Sequence, residues 1–306
     1  MATLQARVAV GPSDCPQWVR EAVHAGGATI VEPGDATALI WSDPYDPTGL
    51  ERMLNESPSI SWVQLPFAGS ENFMHLVNGD RIWTSGKGVY SEPVAELVMG
   101  FLIGGLRHIV GYSRTNYWSD EHGRSLHNGR ITIVGGGGIA TVLLRLLKPF
   151  NCHVTVVRNH VQSMAGAELV VAPERLVDTL PGADAVVIAL ALTTANIGII
   201  GQAELELMES HAWLINVGRG RHVVTDDLVW ALRNNSIGGA ALDVTDPEPL
   251  PDEHPLWGLS NCVITPHIGN TAEMVPPLLS ERITANVVRF LVGEPLVGLI
   301  SSERGY

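Results

Sequence analysis

A glycine run between a predicted strand and a predicted helix constrains the fold of this chain more than any other feature. The apolar stretch 131–134 runs directly into GGGGIA at 135–140, and a helix-compatible run follows. In a G-x-G-x-x-A turn, Gly135 permits the tight bend, Gly137 lets a pyrophosphate approach the backbone, and the small Ala140 allows helix–strand packing. The pyrophosphate binds N–H groups at the helix N-terminus. The pattern predicts a dinucleotide-binding unit, and the alternative is a merely flexible turn.

Short apolar runs that alternate with helical stretches extend this unit into a parallel sheet and predict a second one before it. The 306 residues are long enough for two domains. A long helical stretch is predicted from Glu92 to about Tyr117, and a final helix at 274–291. The predicted strands are 8–10, 29–31, 38–41 and 62–65 in the first domain, and 131–134, 153–157, 185–190, 213–216, 239–242 and 262–265 in the second.

Charge and cysteine content limit the partners and the compartment. The net charge of −13 argues against nucleic acid, because a nucleic-acid binder needs a basic surface to displace counterions from phosphates. The three cysteines form no C-x-x-C pair, which favours a reducing, cytoplasmic compartment, and no metal site is predicted. The most apolar long segment, 94–106, is too short to span a bilayer, so no membrane association is predicted.

The residue that ends the second strand of the glycine-loop unit bears on the choice of cofactor. NAD-specific sites place Asp or Glu there to bind the ribose 2′-hydroxyl. This chain has Arg158 instead, followed by Asn159 and His160, so a guanidinium is available to bind a 2′-phosphate. The sequence therefore predicts a preference for NADP(H), with NAD(H) as the alternative. Arg158 could instead be solvated at the strand end or stack on adenine.

Three further predicted strands end in segments that carry charged or titratable side chains. These are Arg219 within VGRG, Glu248 within DPEP and His267 within TPHIG. Because ligands bind outside the carboxyl ends of parallel strands, we expect all three to face one crevice. Each has a simpler alternative: Arg219 could bind carbonyl groups of its own loop, Glu248 could be a turn residue, and His267 could cap a strand.

Together these three side chains suit hydride transfer between a nicotinamide and a small 2-keto or 2-hydroxy acid. The substrate carboxylate needs a cation, which Arg219 supplies while it polarises the carbonyl group. The carbonyl oxygen gains negative charge and needs a proton donor, a role that suits His267. Glu248 would keep His267 oriented and protonated.

The chain resembles the D-isomer-specific 2-hydroxyacid dehydrogenase family. The resemblance lies in ITIVGGGGIA, HAWLINVGRG, GGAALDVTDPEPLPDEHPLW and VITPHIGNT, which cover most of residues 130–275. A weaker resemblance runs through VQLPFAGSENF and SEPVAELVMG. The chain is most similar to the glyoxylate/hydroxypyruvate reductase-like members. It departs from the family pattern at Ala140, at Arg158 and at Ala191, where many members carry a proline near the nicotinamide.

The resemblance implies an α/β fold of two Rossmann-like domains, doubly wound parallel sheets with a cofactor cleft between them. The substrate domain would comprise 1–91 plus 275–306 and the dinucleotide-binding domain 92–274, with a homodimer formed through the helix that starts near Glu92. The implied catalytic residues are Arg219, Glu248 and His267, and the implied substrate-binding backbone belongs to Ala68 and Gly69. The implied cofactor-binding residues, beyond Gly135 and Gly137, are Gly138, Ile139, Arg158, Leu190, Val217, Gly218 and Asp243.

Two other functions remain open at this level. Transcriptional corepressors of similar fold use it as a nucleotide-sensing binding protein, but they add a long tail after the last helix, where this sequence stops soon. A dehydrogenase with another donor, such as formate or phosphite, is the second alternative. Formate oxidation needs no acid/base pair, so Glu248 beside His267 disfavours it.

Overall fold

A computed structural model describes residues 7–301, and these divide into two compact units. The first unit falls within Met1–Tyr90 and Asn270–Tyr306, and the second is Ser91–Gly269. The domain boundaries predicted from the sequence are similar, with the second domain at 92–274. The ends of the predicted substrate domain, 1–6 and 302–306, lie outside the described residues. No helix within 7–301 is long and apolar enough to cross a bilayer.

The first unit is a five-stranded parallel sheet with the strand order β2-β1-β3-β4-β5. Helices α1 and α8 pack on one face with Val8, Val10 and Ile40, while α2 packs on the other with Ala9 and Leu39. Successive residues of a strand point to opposite faces, so alternate residues join different cores. The elements are β1 (Arg7–Gly11), α1 (Gln17–Ala25), β2 (Thr29–Ile30), β3 (Ala38–Trp41), α2 (Pro47–Glu56), β4 (Trp62–Gln64), β5 (Ile82–Thr84) and α8 (Val275–Val292).

The second unit is a seven-stranded parallel sheet with the order β12-β11-β10-β9-β6-β7-β8. Its chain starts in the middle at β6, runs outward through β7 and β8, and returns to the other side at β9, which is a doubly wound arrangement. The elements are α3 (Ser91–Leu106), α4 (Ile109–Ser113), β6 (Arg130–Val134), α5 (Gly138–Leu147), β7 (His153–Val157), β8 (Leu169–Val171), β9 (Ala185–Ile188), α6 (Gln202–Leu207), β10 (Trp213–Asn216), α7 (Thr225–Arg233), β11 (Gly239–Leu242) and β12 (Cys262–Ile264).

Both faces of the second sheet are covered, which is why its central strands are mostly apolar. All four residues of β9 and of β10 are buried. Helices α3 and α5 cover the face that carries Ile133 and Val187, and α6 and α7 cover the face that carries Val186 and Leu214. Water is excluded from both faces of a parallel sheet that lies between two helical layers. Its strands therefore do not alternate between polar and apolar residues.

The structure corrects two features predicted from the sequence. The helical stretch from Glu92 does not continue to Tyr117, because α3 ends at Leu106 and α4 is separate. His108 between them has a left-handed φ of 57°, which a right-handed helix does not accommodate. The sequence also missed β5 and β8, three-residue strands at the edges of their sheets. The predicted homodimer through α3 stays a prediction.

Candidate active site

The predicted site residues of the second unit lie along one edge of its sheet. All seven strands are parallel, so their carboxyl ends share that edge. The sequence order of the segments differs from their spatial order, and the sheet is what brings them side by side. In the order β12, β11, β10, β9, β6, β7, the strands are followed by His267, Asp243, Arg219, Leu190, Gly135 and Arg158.

The glycine loop lies where the strand order reverses, between β6 and β9. Gly135 has a φ of +122°, and a Cβ atom there would lie 2.3 Å from the carbonyl oxygen of Ala189, so only glycine fits. A Cβ at Gly137, by contrast, would meet open space, with nothing within 4 Å. Gly137 is the N-cap of α5 and supplies no side-chain cap. An open glycine backbone before an uncapped helix N-terminus fits a dinucleotide pyrophosphate.

Arg158 packs across the glycine loop. A Cβ atom added at Gly136 would lie 2.5 Å from the Cδ and 2.7 Å from the Nε of Arg158. The backbone N–H of Arg158 donates to the carbonyl oxygen of Val171 at 2.9 Å. This bond holds the backbone of Arg158 against the end of β8. The guanidinium is therefore held beside the turn on which the phosphates of a dinucleotide would lie.

His267 and Glu248 form a directly hydrogen-bonded pair. The Nδ1 atom of His267 lies 2.7 Å from Oε1 of Glu248, and the two side chains are 47% and 42% exposed. The other carboxylate oxygen of Glu248 accepts a hydrogen bond from the backbone N–H of Thr245 at 3.3 Å. Because Nδ1 is engaged, Nε2 is the ring nitrogen that remains for proton exchange with a substrate.

Asp243 holds the loop that carries His267. Its buried carboxylate accepts hydrogen bonds from the hydroxyl of Thr265 at 2.6 Å and from the backbone N–H groups of Ile268 and Gly269, each at 2.8 Å. The backbone N–H of His267 also donates to the carbonyl oxygen of Asp243 at 2.9 Å. His267 has a φ of 53°, which a non-glycine residue adopts only when its surroundings impose it. These bonds supply that constraint.

Arg219 extends from a turn whose backbone is held from beneath by two buried side chains. Asn216 accepts from the N–H of Gly218 at 3.0 Å and donates to the carbonyl oxygen of Arg219 at 2.9 Å. The Nδ1 atom of His222 accepts from the N–H of Arg219 at 3.0 Å. The guanidinium donates to the carbonyl oxygen of Gly218 at 2.8 Å, one of the contacts that the simpler interpretation of Arg219 expects.

The turn of Arg219 and the turn that leads to Glu248 are packed together. A Cβ atom at Gly220 would lie 1.9 Å from the carbonyl oxygen of Thr245, so the two backbones touch. The remaining cofactor candidates lie nearby. Val217 is 8% exposed, and a Cβ atom at Gly218 would lie 3.0 Å from the carbonyl oxygen of Leu190. Gly138 and Ile139 form the first turn of α5.

The two predicted substrate-binding residues, Ala68 and Gly69, belong to the first unit, in the loop after β4. Tyr90 anchors the start of this loop, since its hydroxyl donates to the carbonyl oxygen of Pro66 at 3.1 Å and its ring lies edge-on to Phe67 at 5.8 Å. Burial raises the pKa of Tyr90, so the phenol stays protonated and remains a donor.

Sequence reasoning missed His222 and Asn216, the two side chains that hold the turn of Arg219. Both are buried, at 0% and 1% exposure. Asn216 could have been identified from the sequence. It is a polar residue at the end of an otherwise apolar strand, and buried polar side chains form hydrogen bonds. His222 could not have been identified in this way, since nothing in GRGRHVV shows that its ring folds back beneath Arg219.

Burial gives His222 a pH-dependent effect on stability. Burial lowers its pKa from 6.5, which outweighs the opposing backbone contacts with Ala191 and Arg219. Below pH 6.5 the unfolded chain therefore binds a proton at this position that the folded protein does not. Stability falls with pH in that window.

We expect the thermal midpoint of the wild type to drop between pH 7.5 and pH 5.5, and to drop less in His222→Asn. The comparison between the two proteins is needed because burial also lowers the pKa of His108, which acts in the same direction. Equal drops in the two proteins would contradict a buried, neutral His222.

An open glycine loop and a histidine–carboxylate pair on one sheet edge are typical of a nucleotide-dependent enzyme with acid/base chemistry. The family model of the D-isomer specific 2-hydroxyacid dehydrogenase NAD-binding domain matches residues 99–269. The chain belongs to this family. This confirms the predicted family, the class of NAD(P)-dependent 2-hydroxyacid dehydrogenase and the nicotinamide cofactor.

Relatives and solved structures agree with this assignment. An uncharacterized protein of Corynebacterium melassecola is 38% identical over 256 residues, which span 81% of this chain and 84% of the relative. Human glyoxylate reductase/hydroxypyruvate reductase is 33% identical over 221 residues, spanning 68% of this chain and 66% of the human protein. A D-isomer specific 2-hydroxyacid dehydrogenase family protein from Aeromonas salmonicida superposes with a TM-score of 0.82, at 27% identity and with 97% and 99% of the two chains covered.

The fold class is confirmed by a further structure. A D-isomer specific 2-hydroxyacid dehydrogenase from Xanthobacter autotrophicus Py2, solved in complex with NADPH and MES, superposes with a TM-score of 0.84. The two chains are 24% identical, and 99% of each is covered. The two parallel sheets of this chain are thus the Rossmann-like pair that the sequence predicted, while the cofactor cleft between them stays a prediction.

Proposed function

We propose that this protein is an NADPH-dependent reductase of small 2-keto acids such as glyoxylate and hydroxypyruvate. The observation that carries the proposal is the hydrogen-bonded pair of His267 and Glu248, on the same sheet edge as the turn of Arg219 and the open glycine loop. The names of the human and archaeal relatives, glyoxylate reductase among them, support the substrate class.

The chain's own residues divide the remaining chemistry between them. When bound, the nicotinamide supplies the hydride that adds to the substrate carbonyl carbon. Arg219 pairs with the substrate carboxylate and polarises the carbonyl oxygen, which gains charge as the hydride arrives. His267 donates the proton at Nε2 to that oxygen, which becomes the hydroxyl group, and then regains a proton from solvent.

Glu248 orients His267 for this step. Its Oε1 atom accepts the Nδ1 proton of His267, which holds the ring in one orientation with Nε2 toward the substrate. Asp243 acts on the same ring through the backbone of its loop. We propose that the backbone N–H groups of Ala68 and Gly69 complete the binding of the substrate carboxylate.

For the cofactor, we propose that Gly135, Gly137, Gly138 and Ile139 hold the pyrophosphate, and that Leu190, Val217, Gly218 and Asp243 border the nicotinamide. Arg158 would bind the 2′-phosphate that distinguishes NADP(H) from NAD(H). Its position across Gly136 supports this role, because the guanidinium is held beside the phosphate-binding turn. No carboxylate follows β7 in Arg158, Asn159 and His160, so nothing there repels the 2′-phosphate.

Replacing Arg158 with glutamine is expected to raise the KM for NADPH about ten- to a hundredfold while the KM for NADH changes little, because a charge-assisted hydrogen bond to phosphate contributes about 1.5–3 kcal/mol. Steady-state kinetics with both cofactors measure the two constants. Arg130→Gln is the control, since that arginine is exposed and begins β6, at the edge of the sheet opposite the glycine loop. Equal effects on NADPH and NADH would contradict the proposed contact.

The function itself is tested by following nicotinamide absorbance with glyoxylate, hydroxypyruvate, pyruvate and larger 2-keto acids, each with NADPH and with NADH. We expect faster turnover with NADPH on at least one acid. Turnover with NADH alone would refute the cofactor preference and leave the enzyme class intact. No turnover, together with oxidation of formate or phosphite, would overturn the proposed substrate.

A further inference from the structure

His222 is a buried titratable group to which the reaction above gives no role. It is the only histidine in residues 7–301 that is fully buried, with 0% of its surface exposed. The ring lies beneath the turn of Arg219 and not on the exposed edge where His267 lies. A position that required only packing would be filled more stably by an apolar side chain, because a buried polar group is costly unless it is hydrogen-bonded.

The contacts of the ring show what the imidazole supplies. Nδ1 accepts the backbone N–H of Arg219 at 3.0 Å, so in the neutral ring the proton is on Nε2. Nε2 is buried and has no hydrogen-bond partner of good geometry within the described residues, although the ring also interacts with the backbone of Ala191. One ring nitrogen is thus satisfied by the turn of Arg219, while the other carries a desolvation cost.

His222 also fixes where that turn lies in relation to the neighbouring strand. A Cβ atom at Gly218 would lie 3.0 Å both from Nδ1 of His222 and from the carbonyl oxygen of Leu190. Asn216 accepts the backbone N–H of Gly218, and His222 accepts that of Arg219, the next residue of the turn. The backbone from which Arg219 extends is therefore held by side-chain bonds that only polar residues provide.

We infer that His222 is a positioning residue for Arg219: a neutral imidazole whose Nδ1 atom holds the arginine turn in the conformation that presents the guanidinium to the substrate. The inference rests on the proposed function, in which Arg219 binds the substrate carboxylate. Protonating Nδ1 would place a donor against the N–H of Arg219, so only the neutral ring serves. Burial, which lowers the pKa of His222, favours that form.

The test compares two substitutions that differ in one property. His222→Asn keeps an acceptor, Oδ1, near the position of Nδ1, whereas His222→Leu keeps the apolar bulk and has no acceptor. For each variant we would measure kcat and KM for hydroxypyruvate, the Kd for NADPH by fluorescence titration, and the melting temperature. Val223→Ala is the packing control, because it removes buried side-chain volume at the next residue and keeps the backbone N–H that donates to the carbonyl oxygen of Gly220.

We expect His222→Leu to lower kcat/KM for the keto acid about tenfold to a hundredfold, chiefly through KM, because small misplacements of a binding group have effects of that size. We expect its Kd for NADPH to stay within about threefold of the wild type, a change below 1 kcal/mol, because Asn216 still holds the backbone N–H of Gly218, which borders the nicotinamide. His222→Asn should restore most of the loss, and Val223→Ala should lower only the melting temperature. Equal losses in Leu and Asn variants, no loss in the Leu variant, or a parallel loss of NADPH affinity would each overturn the inference.

A second readout separates this inference from the proposed function. Nitrogen NMR of the imidazoles, with the His222 signal assigned by its absence in His222→Asn, reports the protonation of each ring nitrogen without any turnover. We expect an unprotonated Nδ1 and a protonated Nε2 at neutral pH. If the wild type reduces none of the 2-keto acids, the proposed function fails, and this spectrum still decides the state of His222. A doubly protonated ring, or a proton on Nδ1, would overturn the inference.

Discussion

Replacing His267 with glutamine is expected to lower kcat for keto acid reduction about a thousandfold, within the range that general acid catalysis contributes. Glutamine can keep a hydrogen bond to Glu248 and is of similar size, but its amide cannot donate a proton to a developing alkoxide. Binding of NADPH should be unchanged, because the substitution leaves the glycine loop intact. Steady-state and single-turnover kinetics, with NADPH affinity measured separately, distinguish a chemical defect from a binding defect.

The chain contains a matched control for this variant. His153 lies 2.7 Å from Glu168 through Nδ1, the same pairing distance as His267 and Glu248. His153 begins β7, so it lies at the amino edge of the sheet, opposite the proposed site. His153→Gln should therefore turn over as the wild type does. Full activity in His267→Gln would remove His267 from the mechanism and with it the proposed acid/base step.

The second large effect is expected at Arg219. Arg219→Gln should lower kcat about a hundredfold to a thousandfold, as loss of a donor to a developing oxyanion does. The KM for the keto acid should also rise about tenfold to a hundredfold, because a charge-assisted bond to the carboxylate is lost. Arg219→Lys should recover only part of this, since an ammonium group does not reproduce the planar bidentate contact.

Arg221→Gln is the control, because Arg221 is two residues further along the same turn and exposed. Its kinetic constants should remain within about threefold of the wild type, as expected for a surface side chain. Should Arg219→Gln retain its kcat and KM, the simpler interpretation of Arg219, in which its guanidinium binds carbonyl groups of its own loop, would be correct.

The edge of the sheet on which the site lies could be predicted from the sequence, because parallel strands carry their carboxyl ends together. Once the strands before Gly135, Arg219 and His267 are recognised, their adjacency follows from the fold class. That Glu248 orients His267 could be predicted from the chemistry of keto acid reduction, but the geometry of their contact could not. It depends on the left-handed backbone of His267, which Asp243 enforces from a distance in sequence.

The features that could not be predicted share a physical cause, namely that tertiary contacts decide them. Strands β5 and β8 are short edge strands whose few apolar residues do not stand out from loop sequence. The end of α3 depends on the left-handed His108, and neither proline nor glycine stands at that position to mark it. The packing of Arg158 on Gly136 and of His222 beneath Arg219 arises only when the turns are folded.

The most direct test of the central claim is to follow the transferred hydrogen. NADPH that carries deuterium at C4, on the transferable position, is incubated with the protein and hydroxypyruvate, and the product is analysed by mass spectrometry and chiral chromatography. The account predicts a 2-hydroxy acid of D configuration with one deuterium on C2. A product without deuterium at C2, or a product of L configuration, would contradict it.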